Sequence, residues 1–243
     1  MTWEIQLSGD SFDLDELSKS LNSPDLRIVK RNGQHFMEWS ELDALSTHAE
    51  VASAASEFLK ILSGASRMAL GGRTPISCAN TTKLRADGTR ETLLKLADTL
   101  HVRVTDTITL ETSDGSRTVI HQADPIPSWL ALASKDSSVA KALRLVGHGV
   151  NDWVSLYRLF EVISKDAGGI DSIDSKGWAS KDSIRLFKHT ANSPGATGDS
   201  SRHGSETTLP PPKPMDLSDA KALLLHLLHE WLREKITAAP AAV

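Results

Sequence analysis

Asn192, Arg202 and His203 fall within one short segment, LFKHTANSPGATGDSSRHG, which runs from Leu186 to Gly204. These three side-chain types are a sufficient set for cleaving an RNA phosphodiester without a metal. An imidazole that titrates near neutrality accepts the proton of a 2′-hydroxyl. A guanidinium offers a planar fork of donors to the charge that grows on phosphorus. An amide orients a substrate hydroxyl. Arg202 and His203 are adjacent, so their side chains diverge unless the backbone turns sharply, and Gly204 permits such a turn. The neighbourhood is also locally basic. From Lys176 to Arg202 it carries Lys176, Lys181, Arg185, Lys188 and Arg202 against Asp182 and Asp199. Lys181, Arg185 and Lys188 are therefore candidate contacts to a nucleic-acid backbone.

A plainer reading competes with this one. Four glycines or prolines between Pro194 and Gly204, and four prolines between Pro210 and Pro214, describe a mobile surface loop. A loop this long between helices either carries function or is disordered. Its basic charge in an acidic chain, and its place inside a helical half, favour an ordered loop.

Other candidate groups have simpler explanations. His226, His229 and Glu230 lie on the last helix, where both imidazoles fall opposite the apolar stripe and face solvent. Cys78 is expected to be a small buried apolar residue. Asp10, Asp13, Asp15 and Glu16 surround a helix start, where negative charge opposes the helix dipole favourably. No metal centre and no cofactor is expected. The chain has no GxxxxGK[ST] loop, no GxGxxG, no GxSxG and no HExxH.

The bulk numbers narrow the class. The 243 residues suffice for two modest domains, with 40% hydrophobic and 24% charged residues. A net charge of −4 excludes a global polycation. The single cysteine forbids an internal disulfide and fits a reducing compartment. The first residues, MTWEIQLSGDSFD, lack the pattern of a signal peptide. No apolar run approaches the roughly 18 residues needed to span a bilayer. A cytoplasmic protein with no membrane attachment is the expectation.

The elements that must position these residues change along the chain. Residues 1–125 hold 13 Lys and Arg against 18 Asp and Glu, and residues 126–243 hold 14 against 13. The first part reads as an α+β domain, with antiparallel hairpins around one long helix. TWEIQL alternates as a strand, and Ser11–Leu21 is a helix capped at Ser11. Asn32-Gly33 predicts a tight hairpin turn within Asp25–Trp39. Residues 47–70 follow the helical period and stop at Gly71-Gly72. Asp87-Gly88 and Asp114-Gly115, with Val102, Val104, Ile108 and Leu110, predict strands from Ile76 to Gln122. ADPIPSW marks a boundary. Residues 126–243 then read as an all-α bundle, with helices after Asp136, Asn151, Ser180 and Asp216. The first domain carries no readable role.

The helical half resembles the HEPN superfamily (higher eukaryotes and prokaryotes nucleotide-binding). The residues that carry the likeness are WVSLYRLFEVI, with Tyr157 and Glu161, and FKHTAN…SSRHG, with Asn192, Arg202, His203 and Gly204. The family's motif places several residues between its Arg and its His, whereas Arg202 and His203 are adjacent. The resemblance implies a compact helical bundle that dimerises, binds RNA and cleaves it without a metal, in a bacterial toxin or phage-defence setting. It implies Arg202 as the phosphate-stabilising group and His203 as base or acid. Asn192 would position the substrate, and Tyr157 and Glu161 would support the site. A non-enzymatic ligand-binding or assembly protein, in which the Arg202-His203 loop is structural, is the alternative.

Overall fold

Strict alternation makes the first strand. In β1 (Thr2–Ser8) Trp3, Ile5 and Leu7 are buried on one face. The computed structural model describes residues 2–84, 90–94, 108–111, 117–120, 124–202 and 209–238. After β1 come α1 (Ser11–Ser20), β2 (Leu26–Arg31), β3 (Gln34–Trp39), α2 (His48–Leu70), β4 (Ser77–Leu84) and β5 (Arg90–Leu94). The five strands form one antiparallel sheet in the order β2-β3-β1-β4-β5. Two further strands, β6 (Ile108–Glu111) and β7 (Arg117–Ile120), pair with each other in a separate antiparallel ladder. The fold is α+β.

Local chemistry explains the boundaries. Asn32 and Gly33 both have positive φ, 51° and 77°, which is the geometry of a two-residue hairpin turn. Thr47 and Glu50 cap α2 reciprocally, and Gly71 ends it at φ 66°. The cap of α1 is Asp10 rather than Ser11: its carboxylate accepts from the amides of Phe12 and Asp13, at 3.0 and 3.4 Å. A carboxylate at that position serves two orphan donors, and Ser11 becomes the first helical residue. Cys78 is half-buried on β4 rather than buried. Val102, Val104 and both Asp-Gly pairs lie outside the described residues.

The chain divides into two units, Met1–Leu130 and Ala131–Val243. The division falls inside α3 (Ile126–Lys135), a helix where the ADPIPSW segment reads as a simple break. Pro127 sits in its first turn, where a missing N–H costs nothing because that group has no intrahelical acceptor.

The second unit is helical: α4 (Ser137–His148), α5 (Trp153–Asp166), α6 (Ile170–Ser175), α7 (Lys181–Ala191), α8 (Pro194–Thr197) and α9 (Leu217–Ala238). Helix α5 is the hub, packing against α4, α7 and α9. Its core is aromatic on one side, with Trp153, Tyr157 and Phe160 meeting Phe187 of α7 at ring-centre separations of 5.8 to 6.2 Å. From α9 come the buried Leu224, Leu227, Leu228 and Trp231. His226 and His229 are exposed on the opposite face. Among the described residues, no helix is long and apolar enough to cross a membrane.

One polar network ties the three long helices together. Lys235 of α9 reaches Asp136, the cap of α4, at 2.6 Å and Asp166 of α5 at 2.8 Å. Burial works against both charges, but these contacts outweigh it. The Asp136 carboxyl is held below its ordinary value and the Lys235 ammonium above its own. The signs fix the pH window. Asp136 contributes stability above the ordinary carboxylate range, and that contribution is lost as pH falls through its depressed value. Lys235 contributes below about 10.5, and loses its contribution as pH rises through its raised value. Asp136→Ala removes the cap and one partner of Lys235. It should cost about 2 kcal/mol and flatten the acid limb of a stability-versus-pH curve, read by urea unfolding at several pH values.

Candidate functional site

The site begins at the end of α7. Ser180 caps the start of that helix, and Asn192 closes its end with near-helical backbone geometry. The chain does not then drift away. Ser193 is fully buried, and its hydroxyl donates to the carbonyl of His189 at 2.8 Å. Pro194 opens α8, and a 3-10 turn over Gly198–Ser200 brings the chain back. The amide of Arg202 then donates to the carbonyl of Ala191 at 2.9 Å. The returning arm is pinned as well. His189 Nε2 donates to the carbonyl of Leu209 at 2.8 Å, and the amide of Met215 donates to Thr190 Oγ1 at 3.0 Å. Gly195 lies against Pro210 so closely that an added Cβ would sit 3.2 Å from the ring. The described parts of this loop are therefore built onto α7 by specific contacts.

This folding brings four of the five candidate catalytic residues together. The Arg202 guanidinium stacks over the Tyr157 ring, 4.0 Å from its centre, and its Nη2 donates to Glu161 Oε1 at 2.8 Å. Tyr157 and Glu161 are one helical turn apart on α5, so one face of one helix supplies both contacts. Asn192 Nδ2 lies 3.5 Å from the Tyr157 hydroxyl, a long contact. Asn192 Oδ1 is buried, and among the described residues it has no hydrogen-bond partner. A buried carbonyl oxygen left in that state costs about 1–3 kcal/mol. His203 lies outside the described residues.

The basic residues of α7 are placed differently from what the linear count implies. Lys181 is bound by Asp171 at 2.9 Å, with Asp174 at 4.0 Å, and the Asp171 hydrogen bond holds its ammonium above the ordinary value. Arg185 faces Asp182 at 3.6 Å. Lys188 lies over the Phe160 ring, 5.8 Å from its centre. Lys176 pairs with Glu234 at 2.5 Å. Counted along the chain, the segment is basic. In space Asp171, Asp174, Glu161 and Glu234 join it and offset that charge.

Sequence reasoning missed a second feature. Helices α4 and α5 enclose an open groove of about 820 Å³. Lys141 on α4 and Arg158 and Lys165 on α5 line it, together with Glu161. The signal was legible: Ser138 and Lys141 are three apart on α4, and Arg158, Glu161 and Lys165 recur at helical spacing on α5. A count confined to residues 176–202 passes over them. Among the described residues, no group of three or more His, Cys, Asp or Glu side chains is placed to hold a metal ion. No protein-family model, no curated protein and no solved structure matches this chain.

Proposed function

We propose that the helical unit is an RNA-directed, HEPN-like module that cleaves RNA without a metal, as part of a bacterial toxin or phage-defence system. The observation that supports this reading best is the meeting of Arg202 with Tyr157 and Glu161, and of Asn192 with the same Tyr157. The Arg202 guanidinium is held flat by Tyr157 and fixed in direction by Glu161, which prepares it to face a phosphate. In the proposed reaction the 2′-oxygen attacks phosphorus and the bond from phosphorus to the 5′-oxygen breaks. The 2′-hydroxyl proton passes to His203, and water protonates the departing 5′-oxygen. On this reading two copies work together as a dimer.

A second reading is favoured by a specific set of contacts. The Arg202 amide on Ala191 and its side chain on Glu161 also fasten the loop to the bundle, as a purely structural cluster in a binding or assembly protein requires. Incubation with total RNA in EDTA separates the two. Cleavage by the wild type that is lost in both Arg202→Ala and His203→Ala is the expected result. Intact RNA with the wild type, together with lowered thermal stability of the variants, would establish the structural role instead.

A further inference from the structure

We infer that the groove between α4 and α5 binds a chain of phosphates. The charge balance of the groove favours anions. The groove has two acids, and both are engaged: Glu161 with Arg202, and Asp166 with the Trp231 indole N–H and with Lys235, each at 2.8 Å. Its three cations are not. Among the described residues, Lys141, Arg158 and Lys165 have no acidic or hydrogen-bonding partner. Cations on both walls of a concave surface reinforce one another and concentrate anions between them.

Spacing sets the class of ligand. Arg158 and Lys165 are seven residues apart on one face of α5, which is about 10 Å along the axis. With Lys141 on the opposite wall, this row of cations suits a ligand with several phosphates. Ser138 on the α4 wall adds a hydroxyl able to donate to a phosphate oxygen. Two sources share this chemistry, an RNA backbone and a free polyphosphate. The RNA source rests on the reading above, because Glu161 lines the groove and also holds Arg202, so a strand along the groove would run beside the Arg202 cluster. The phosphate chemistry does not depend on that reading.

The test uses the full chain, tripolyphosphate by calorimetry, and a labelled oligouridine octamer by fluorescence anisotropy over a salt series. The variants are Lys141→Glu with Lys165→Glu, and the same pair changed to Gln. Both positions are exposed, so folding should be kept, which circular dichroism checks. The wild type should bind both probes, and the double Glu variant should bind each at least about tenfold more weakly, with the Gln pair in between. Each single-strand phosphate contact contributes a salt slope of about −0.7, so the double variant should lose about 1.4 from the slope for RNA. Tripolyphosphate binding that is lost in the variants, with no RNA binding by the wild type, would keep the groove and remove the RNA reading. RNA binding with unchanged affinity and slope in the variants would overturn the groove and leave the RNA reading standing. Binding of neither probe would overturn the groove as well.

Discussion

Trp231→Ala should unfold much of the helical unit at physiological temperature. Trp231 is 1% exposed, the largest side chain that α9 contributes to the core. Its indole N–H donates to Asp166 Oδ2 at 2.8 Å, and the Lys235 ammonium lies 5.1 Å from its ring centre. Truncation removes the apolar burial, leaves a cavity and takes one donor from Asp166. Buried Trp→Ala changes cost about 3–5 kcal/mol. That is a large share of the stability of an ordinary domain, and it should move the helical melting transition down by about 20 °C. Trp231→Phe keeps most of the bulk and loses only the donor, so it should cost about 1–2 kcal/mol. Urea unfolding followed by helical circular dichroism reads both. Equal losses in the two variants would mean that the hydrogen bond, and not the packing, holds α9 in place.

Arg202→Ala should behave in the opposite way, with a small cost in stability and a large cost in activity. The guanidinium and its carboxylate partner are part-exposed, Arg202 at 31% and Glu161 at 49%, above the buried Tyr157 ring. Exposed ion pairs contribute about 0–1 kcal/mol, and an exposed cation–π contact about the same. Loss of a preorganised donor to a developing oxyanion costs about 100- to 1000-fold in rate. Arg202→Ala should therefore melt within a few degrees of the wild type and cleave RNA at least 100 times more slowly. Arg202→Lys keeps the charge but not the planar fork, so it should recover only part of the rate. A variant with wild-type cleavage would reduce Arg202 to a fastener of the loop.

Much of the fold was legible because it rests on local rules. Asn32-Gly33 specified a turn that only two positive-φ residues make easily, and Gly71 marked the end of α2. The stripe of α9 from Leu224 to Trp231 is read directly from its period. The misses have physical causes too. Pro127 reads as a breaker although the first turn of a helix tolerates it. The six-residue α6 is too short for any periodicity to show. Of the candidate site, residue types and rough neighbourhood were visible, but long-range partners were not. Nothing local says that Glu161 meets Arg202, forty-one positions away, or that Asp171 and Asp174 meet Lys181. Charge counted along a chain is a poor guide to charge in space when helices bring distant acids alongside.

On the proposed function, the end of α7, the Arg202 loop and one face of α5 form a surface for RNA. Photocrosslinking with thiouridine-substituted RNA, followed by mass spectrometry of the digested protein, tests it most directly. Crosslinked peptides from 153–166 and 192–202 are expected, lost when unlabelled RNA competes and reduced in Arg202→Ala. Crosslinks confined to residues 1–125, or none at all under conditions where a known RNA-binding protein reacts, would contradict it.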